Sequence, residues 1–180
     1  MDKFDIRRAT PADYAGIYDL YKSVAKLPRG IARLEDEVTE EYIKSFMAEA
    51  SKDGAEFVAI DRENSSRIVG DIHCQKLEPW KFHHILGELT IAIDTNYHGM
   101  GLGKKLFQTL LAHVETNRKD ILRVELITQE FNTRAIQLYE SVGFKREGRL
   151  ENRIRAENSL EADIPMAWFN KNFLGLKIKA

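Results

Sequence analysis

Apolar positions along this chain recur in two rhythms, one with the period of a helix and one with that of a strand. Phe4 to Arg8 reads as a short first strand. Thr10-Pro11-Ala12-Asp13 is a helix start, with Thr as cap, Pro at the first helical position and Asp13 facing the positive helix end. Ile17, Leu20, Tyr21 and Val24 follow at i, i+3, i+4, i+7 and give that helix one buried face. Leu27 to Asp36 is a polar connector holding Pro28 and Gly30. Thr39-Glu40-Glu41 opens a second helix with apolar Tyr42, Ile43, Phe46 and Met47. Glu56–Asp61 and Arg67–Lys76 read as hairpin arms around the turn residues 62–66. Leu86 to Asp94 is an apolar β run that ends in Asp94-Thr95-Asn96. Leu102, Leu106, Leu110 and Val114 then mark the core face of a strong helix.

Ile121 to Thr128 is another strand, and Asn132 to Val142 a helix with Ala135, Leu138, Tyr139 and Val142 at helical spacing. Gly143 stands where a left-handed residue ends a helix. The segments from Phe144 onward and from Glu161 to Trp168 read as two final strands of a hairpin. Pro165 lacks a backbone donor, so an edge position or a bulge is expected there. The order is β-α-α-β-β-β-α-β-α-β-β, an α/β mixed sheet. No repeat, low-complexity tract or linker divides the 180 residues, which predicts one domain over 1–180.

Composition narrows the function. Lys and Arg number 27 against 28 Asp and Glu, which lacks the basic footprint of a dedicated nucleic-acid binder. The one cysteine, Cys74, forms no internal disulfide and supplies no Cys-based zinc site, which suits a reducing cytoplasm. Met1 to Asp5 has no apolar segment behind it, and no stretch approaches the ~18 apolar residues of a membrane span. The expectation is a soluble cytoplasmic protein without membrane or nucleic-acid partners.

The main chemical signal lies between Leu86 and Leu111, where a strand feeds alternating glycines that open a helix. Such a turn is an anion site: glycine lets backbone approach a ligand, and the first helical amides point outward with the positive dipole end. A Walker A loop does not fit. Gly99 and Gly103-Lys104 are separated by three residues rather than four, and Lys105 stands where the hydroxyl belongs. A dinucleotide fingerprint does not fit either, because the spacing is G-x-G-x-G and lies mid-chain. A plain tight strand-to-helix turn is the bland alternative.

Gly99-Met100-Gly101-Leu102-Gly103 after an apolar strand resembles the coenzyme A pyrophosphate loop of the GNAT superfamily, the acyl-CoA-dependent N-acetyltransferases. That loop is written Q/R-x-x-G-x-G/A and falls here on His98, Gly101 and Gly103, with His98 departing from Gln or Arg. Asn132, Ala135, Leu138-Tyr139-Glu140 and Gly143-Phe144 continue the resemblance in order and spacing, and Ile6 to Asp13 looks like the family's first strand and helix. It covers essentially Phe4 to Phe169. It implies a GNAT-type, mostly antiparallel twisted sheet with helices on both faces.

The resemblance also implies transfer of acetyl from acetyl-CoA to an amine. The amine must be neutral to attack, although an α-amino group has a pKa near ~8 and lysine near ~10.4. By that resemblance Ile91, Ala92 and Ile93 lie along the pantetheine arm, and a backbone N–H there polarises the thioester carbonyl. His98, Gly99, Met100, Gly101, Leu102, Gly103 and Lys104 surround the pyrophosphate, with Lys105 as added charge. Asn132 hydrogen-bonds the cofactor or simply caps its helix. Tyr139 is the general acid toward the thiolate; otherwise it is a core tyrosine.

Glu88, a charge in an apolar strand, is the candidate base, since burial would fit it to take a proton near neutral pH. In phosphinothricin-type relatives a Glu stands at this place. The alternatives are an exposed carboxylate that only positions a cationic substrate, or a water chain as the base. His83 and His84 suggest a metal only weakly, because neighbours in a strand face opposite ways and no third ligand is evident, so no metal is expected. Cys74 reads as a small buried residue and Trp80 as a pocket wall or a loop plug. The tail 169–180, with Lys171, Lys177 and Lys179, reads as a fraying terminus.

The function expected is an N-acetyltransferase acting on a primary amine of a small molecule or amino acid. A ribosomal-protein-type N-terminal acetyltransferase is the first alternative, and a non-catalytic acyl-CoA-binding module the alternative of another class. The C-terminal hairpin edge suits a homodimer. The acceptor itself is not legible: Lys26, Arg29 and Arg33 of the connector offset Glu35, Asp36 and Glu37.

Overall fold

The computed structural model describes residues 3–27, 30–64, 67–156 and 159–175. Pro28 and Arg29 of the connector, Ser65 and Ser66 of the hairpin turn, and Lys177 and Lys179 of the tail lie outside these residues. The chain forms two compact units, one of residues 1–75 and 90–111, the other of 76–89 and 112–180.

In the first unit β1 (Phe4–Arg8) pairs antiparallel with β2 (Ala55–Asp61), and β2 with β3 (Arg67–Lys76). β4 (Ile85–Ile93) adjoins β3 in the ladder and contributes its last residues, from Thr90, to this unit. α1 (Tyr14–Ala25) and α2 (Glu40–Asp53) lay Ile17, Leu20, Tyr21, Val24, Ile43 and Phe46 on Val58, Ile60, Ile68 and Ala92. α3 (Leu102–Asn117) covers the opposite face, where a Cβ at Gly70 would stand 3.0 Å from the Leu106 side chain and 3.5 Å from that of Leu102. With both faces covered, every residue of β2 is buried.

The start of α1 follows its sequence. Pro11–Asp13 form a single 3-10 turn, and the amide and hydroxyl of Thr10 both donate to Asp13 Oδ2, at 2.7 and 2.8 Å. Thr10 is the N-cap, and the Asp13 carboxylate three residues on reaches back to it while Asp13 N donates to the Thr10 carbonyl at 2.9 Å. Arg7 adds a two-pronged bond at 2.7 and 2.8 Å. That guanidinium is the chief reason the Asp13 carboxyl is lowered to about 2.

In the second unit β4 pairs parallel with β5 (Arg123–Gln129) at Ile85 and Leu86, and β5 pairs antiparallel with β8 (Leu160–Phe169). α4 (Thr133–Ser141) follows β5. Instead of one strand after α4 there are two, β6 (Lys145–Arg146) and β7 (Leu150–Arg155), both on β8. The mixed, mostly antiparallel α/β class expected from the sequence holds.

The edge position expected for Pro165 does not hold. β8 has β5 on one side and β6 and β7 on the other, and Pro165 stands opposite Ile127 of β5. The Pro165 carbonyl accepts from Glu147 N at 2.9 Å, and a strand residue's N–H points to the same side as its C=O. The missing donor thus falls in the break between β6 and β7, where no ladder bond is lost. At the end of α3, Asn170 Nδ2 donates to the carbonyls of Arg118 and Ile121, at 3.2 and 3.0 Å, and closes a helix end that needs acceptors satisfied.

Candidate active site

The glycine turn has the geometry its sequence calls for. β4 ends at Ile93, and Asp94 accepts from Asn96 N at 3.0 Å while Arg67 donates to its other oxygen at 2.7 Å. The Tyr97 hydroxyl donates to Asp61 Oδ2 at 2.8 Å. The chain then turns through Gly99 (φ +79°) and Gly101 (φ +74°) into α3. Positive φ at both positions is the region open to glycine. A Cβ on Gly101 would meet nothing within 4 Å, so the space before the helix start is open. The first amides of α3 lack intrahelical acceptors by construction, and with the helix dipole they favour an anion.

The side chains around this turn are mostly committed elsewhere. His98 Nε2 lies 3.1 Å from the Ile93 carbonyl, so an imidazole N–H at that nitrogen closes the turn. Leu102 and Gly103 are buried, whereas Met100 and Lys104 are exposed. Ala92 belongs to the α1–α2 core, whereas Ile91 and Ile93 are half-buried. Any contact made by Ala92 or Leu102 with a ligand is therefore through backbone.

In the second unit Glu88 is exposed rather than buried, with φ +50°. A non-glycine residue there is a strained break in β4. The burial expected for Glu88 is thus corrected: the irregular backbone turns its side chain out of the apolar run. Asn132 caps α4, its Oδ1 accepting from Ala135 N at 3.2 Å. That bond occupies the carbonyl end of the amide and leaves its NH2 group for another acceptor.

Tyr139 is buried, with its ring 6.2 Å from that of Phe144 and its phenol hydrogen-bonded to Thr128. Burial pushes the phenol up to about 12. Gly143 adopts φ +102°, and Phe144 N donates back to the Tyr139 carbonyl at 3.0 Å. The Gly-Phe pair thus ends the helix that carries Tyr139.

His83 pairs with Glu78 at 2.9 Å in an exposed loop, and Trp80 is 77% exposed, so it does not plug that loop. Cys74 is fully buried. Among the described residues no group of three His, Cys, Asp or Glu side chains is placed to hold a metal ion, and no helix is long and apolar enough to cross a membrane.

One polar centre was missed from the sequence. On the α1–α2 face of the first unit, the Tyr21 hydroxyl donates to Asp71 Oδ2 at 2.9 Å. His73 Nδ1 lies 3.1 Å from both groups, and Phe46 stacks on its ring at 3.8 Å. Glu56 stands opposite His73 in the β2–β3 register. The signal was the alternation itself: Asp71 and His73, two apart in β3, share a strand face while Ile72 between them points the other way, a parity that only a pairing register converts into a cluster.

A family model described as an acetyltransferase (GNAT) domain matches residues 3–145, and the chain belongs to that family. Over 59 residues it is 41% identical to a probable spermine N(1)-acetyltransferase of Bacillus subtilis subsp. natto, covering 33% of this chain and 38% of that protein. It spans well under two thirds of the curated relatives it matches, from 20% to 53% of their length. Among solved structures it is similar to a GNAT superfamily phosphinothricin acetyltransferase from Sinorhizobium meliloti, in complex with AcCoA. That likeness has a TM-score of 0.84 at 16% identity and covers 99% of this chain and 94% of that one. It is also similar to the ribosomal-protein-alanine N-acetyltransferase of Brucella melitensis, with a TM-score of 0.78 at 22% identity over 92% and 99%.

Proposed function

We propose that this protein is a cytoplasmic acetyltransferase of one domain that moves the acetyl group of acetyl-CoA to a primary amine of a small molecule or amino acid. The observation that carries the reading is the turn at Gly99 and Gly101, held at positive φ before the open start of a 16-residue helix. Family membership supports it, as does the acetyl-CoA named with the Sinorhizobium structure.

Acetyl-CoA would supply an activated thioester. Backbone amides from Gly99 to Lys104 would hold its pyrophosphate, and Ile91 to Ile93 its arm through main-chain bonds. Asn132 would offer its NH2 group to the same ligand. Tyr139 would donate a proton to the departing thiolate. With its phenol at about 12 it keeps that proton throughout the physiological range. Glu88, exposed on a strained strand position, would draw in the ammonium form of the acceptor and take its proton directly or through water.

The test is thiol release from acetyl-CoA with a panel of amino acids, amino sugars, polyamines and short peptides. Turnover with a small amine supports the reading, and Tyr139→Phe should then lower kcat by about tenfold to a hundredfold with acetyl-CoA affinity retained. Turnover with peptides alone transfers the assignment to protein N-termini. Acetyl-CoA binding without any turnover would make the chain a binding module.

A further inference from the structure

The Glu56–Asp71–His73–Tyr21 centre takes no part in the acyl transfer proposed above, and one of its members, Glu56, lines an open cleft. The cleft has a volume of about 620 Å³, within the ~300–1,000 Å³ of small-molecule sites. The turn into α1 contributes Thr10 and Tyr14, α2 contributes Lys44, Met47 and Lys52, and β2 contributes Glu56. All belong to the first unit. Glu56 is only 5% exposed, and its buried Oε1 accepts no hydrogen bond. Asp71 Oδ1 is likewise buried without a donor.

Burial first, and then the charge of Asp71, hold the Glu56 carboxyl well above the usual carboxylate range. Two carboxyls side by side out of water cannot both ionise, so the pair keeps a proton in place of a cation.

We propose that this cleft binds a small zwitterionic amine of the amino-acid type, its ammonium set against Glu56 and its carboxylate against Lys52. An ammonium would supply a donor and a countercharge to Glu56, whose buried Oε1 accepts no hydrogen bond, and Glu56 releases its proton to solvent as the ligand enters. Thr10, which lines the cleft, gives its hydroxyl hydrogen to Asp13, so its oxygen keeps acceptor capacity. Met47, Ala48 and Pro11 offer an apolar wall to a side chain.

At the rim Lys44 is already joined to Glu40 at 2.7 Å, whereas Lys52 is an exposed cation on the same helix. A plain diamine would meet that charge unfavourably, and a carboxylate would be drawn to it. The groups around Glu56 are Asp71 and His73 from β3, Asp13 and Tyr21 from the turn and helix of α1, Arg8 from β1, and Lys44 and Lys52 from α2. Asp71 and Asp13 favour the proton on Glu56, and Arg8 opposes them.

The proposal stands on the first unit alone and does not require acetyl transfer. Its test is calorimetric titration of the full chain with L-leucine near neutral pH, in two buffers of different ionisation heat. 3-Methylbutylamine and 4-methylpentanoate serve as probes lacking the carboxylate or the ammonium.

L-leucine should bind with a Kd below about 1 mM and at least about tenfold more tightly than either probe, with release of a proton. Glu56→Gln should abolish the proton release, and Glu56→Gln and Lys52→Gln should each weaken binding by about tenfold. Ala48→Trp, on an exposed wall, should block the cleft without altering charge, and with Lys52→Gln it decides the matter if Glu56→Gln does not fold. No heat up to about 10 mM leucine, equal binding of the amine probe, or affinity unmoved by Lys52→Gln and Ala48→Trp would overturn the proposal.

Discussion

Gly101 lies in the turn proposed to hold the coenzyme, and its surroundings separate backbone strain from steric clash. Nothing lies within 4 Å of where its Cβ would be, so Gly101→Ala meets no steric clash and pays only for φ +74°. The expected outcome is about 1 kcal/mol of lost stability and a loop whose amides no longer converge. Titration of acetyl-CoA into Gly101→Ala should show at least about a tenfold loss of affinity. Unchanged affinity would mean that the loop does not bind the coenzyme.

Glu56 tests linkage at the same scale. Its folded carboxyl keeps a proton that the unfolded chain releases in the ordinary range near ~4.3. The folded state therefore binds more protons, and its stability falls as pH rises above that range. Glu56→Gln carries a permanent neutral group of like size. Urea unfolding of the variant from about pH 5 to pH 8 should lose that downward slope; an unaltered slope would refute the assignment.

At the scale of the element, α1 hangs on Asp13. This carboxylate accepts from Thr10 twice and from Arg7 twice. Its folded value of about 2 lies below its ordinary 3.8, so its contribution is present above the ordinary value and lost as pH falls through about 2. Asp13→Asn should cost about 1–2 kcal/mol at neutral pH and remove part of the acid-induced loss. Thermal melts at neutral pH and near pH 3 would check both effects.

The two ends of α4 were legible for the same local reason. Asn132 and Gly143 act on amides and carbonyls within four residues of themselves, so the sequence order alone placed them. Of the two places expected for Pro165, an edge or a bulge, the edge failed, because its surroundings depend on Glu147, which lies in the break between β6 and β7.

At the scale of the whole molecule, the two compact units share elements rather than a linker. β4 changes unit after Leu89, and α3 after Leu111. Neither unit keeps a complete β4 or α3 on its own, and we expect a single cooperative transition. Both tryptophans, Trp80 and Trp168, lie in the second unit, whereas α1 and α2 lie in the first. Tryptophan fluorescence and far-ultraviolet circular dichroism should therefore give coincident urea midpoints. Separated midpoints would divide the chain into two domains.

By itself the sequence determined what depends on near neighbours: the helical faces, the succession of elements along the chain up to α4, the capping residues and the glycine turn before α3. Each is set by residues a few positions apart, through backbone conformation and the periods of helix and strand. Tertiary structure alone decided where side chains spend their hydrogen bonds. It turned His98 back onto Ile93, brought Glu88 to the surface, and buried Tyr139 beside Thr128. It also joined Tyr21 to Asp71 and His73 across 50 and 52 residues. Such contacts arise from strand register and helix docking, and no local pattern encodes which distant group will meet a buried polar atom.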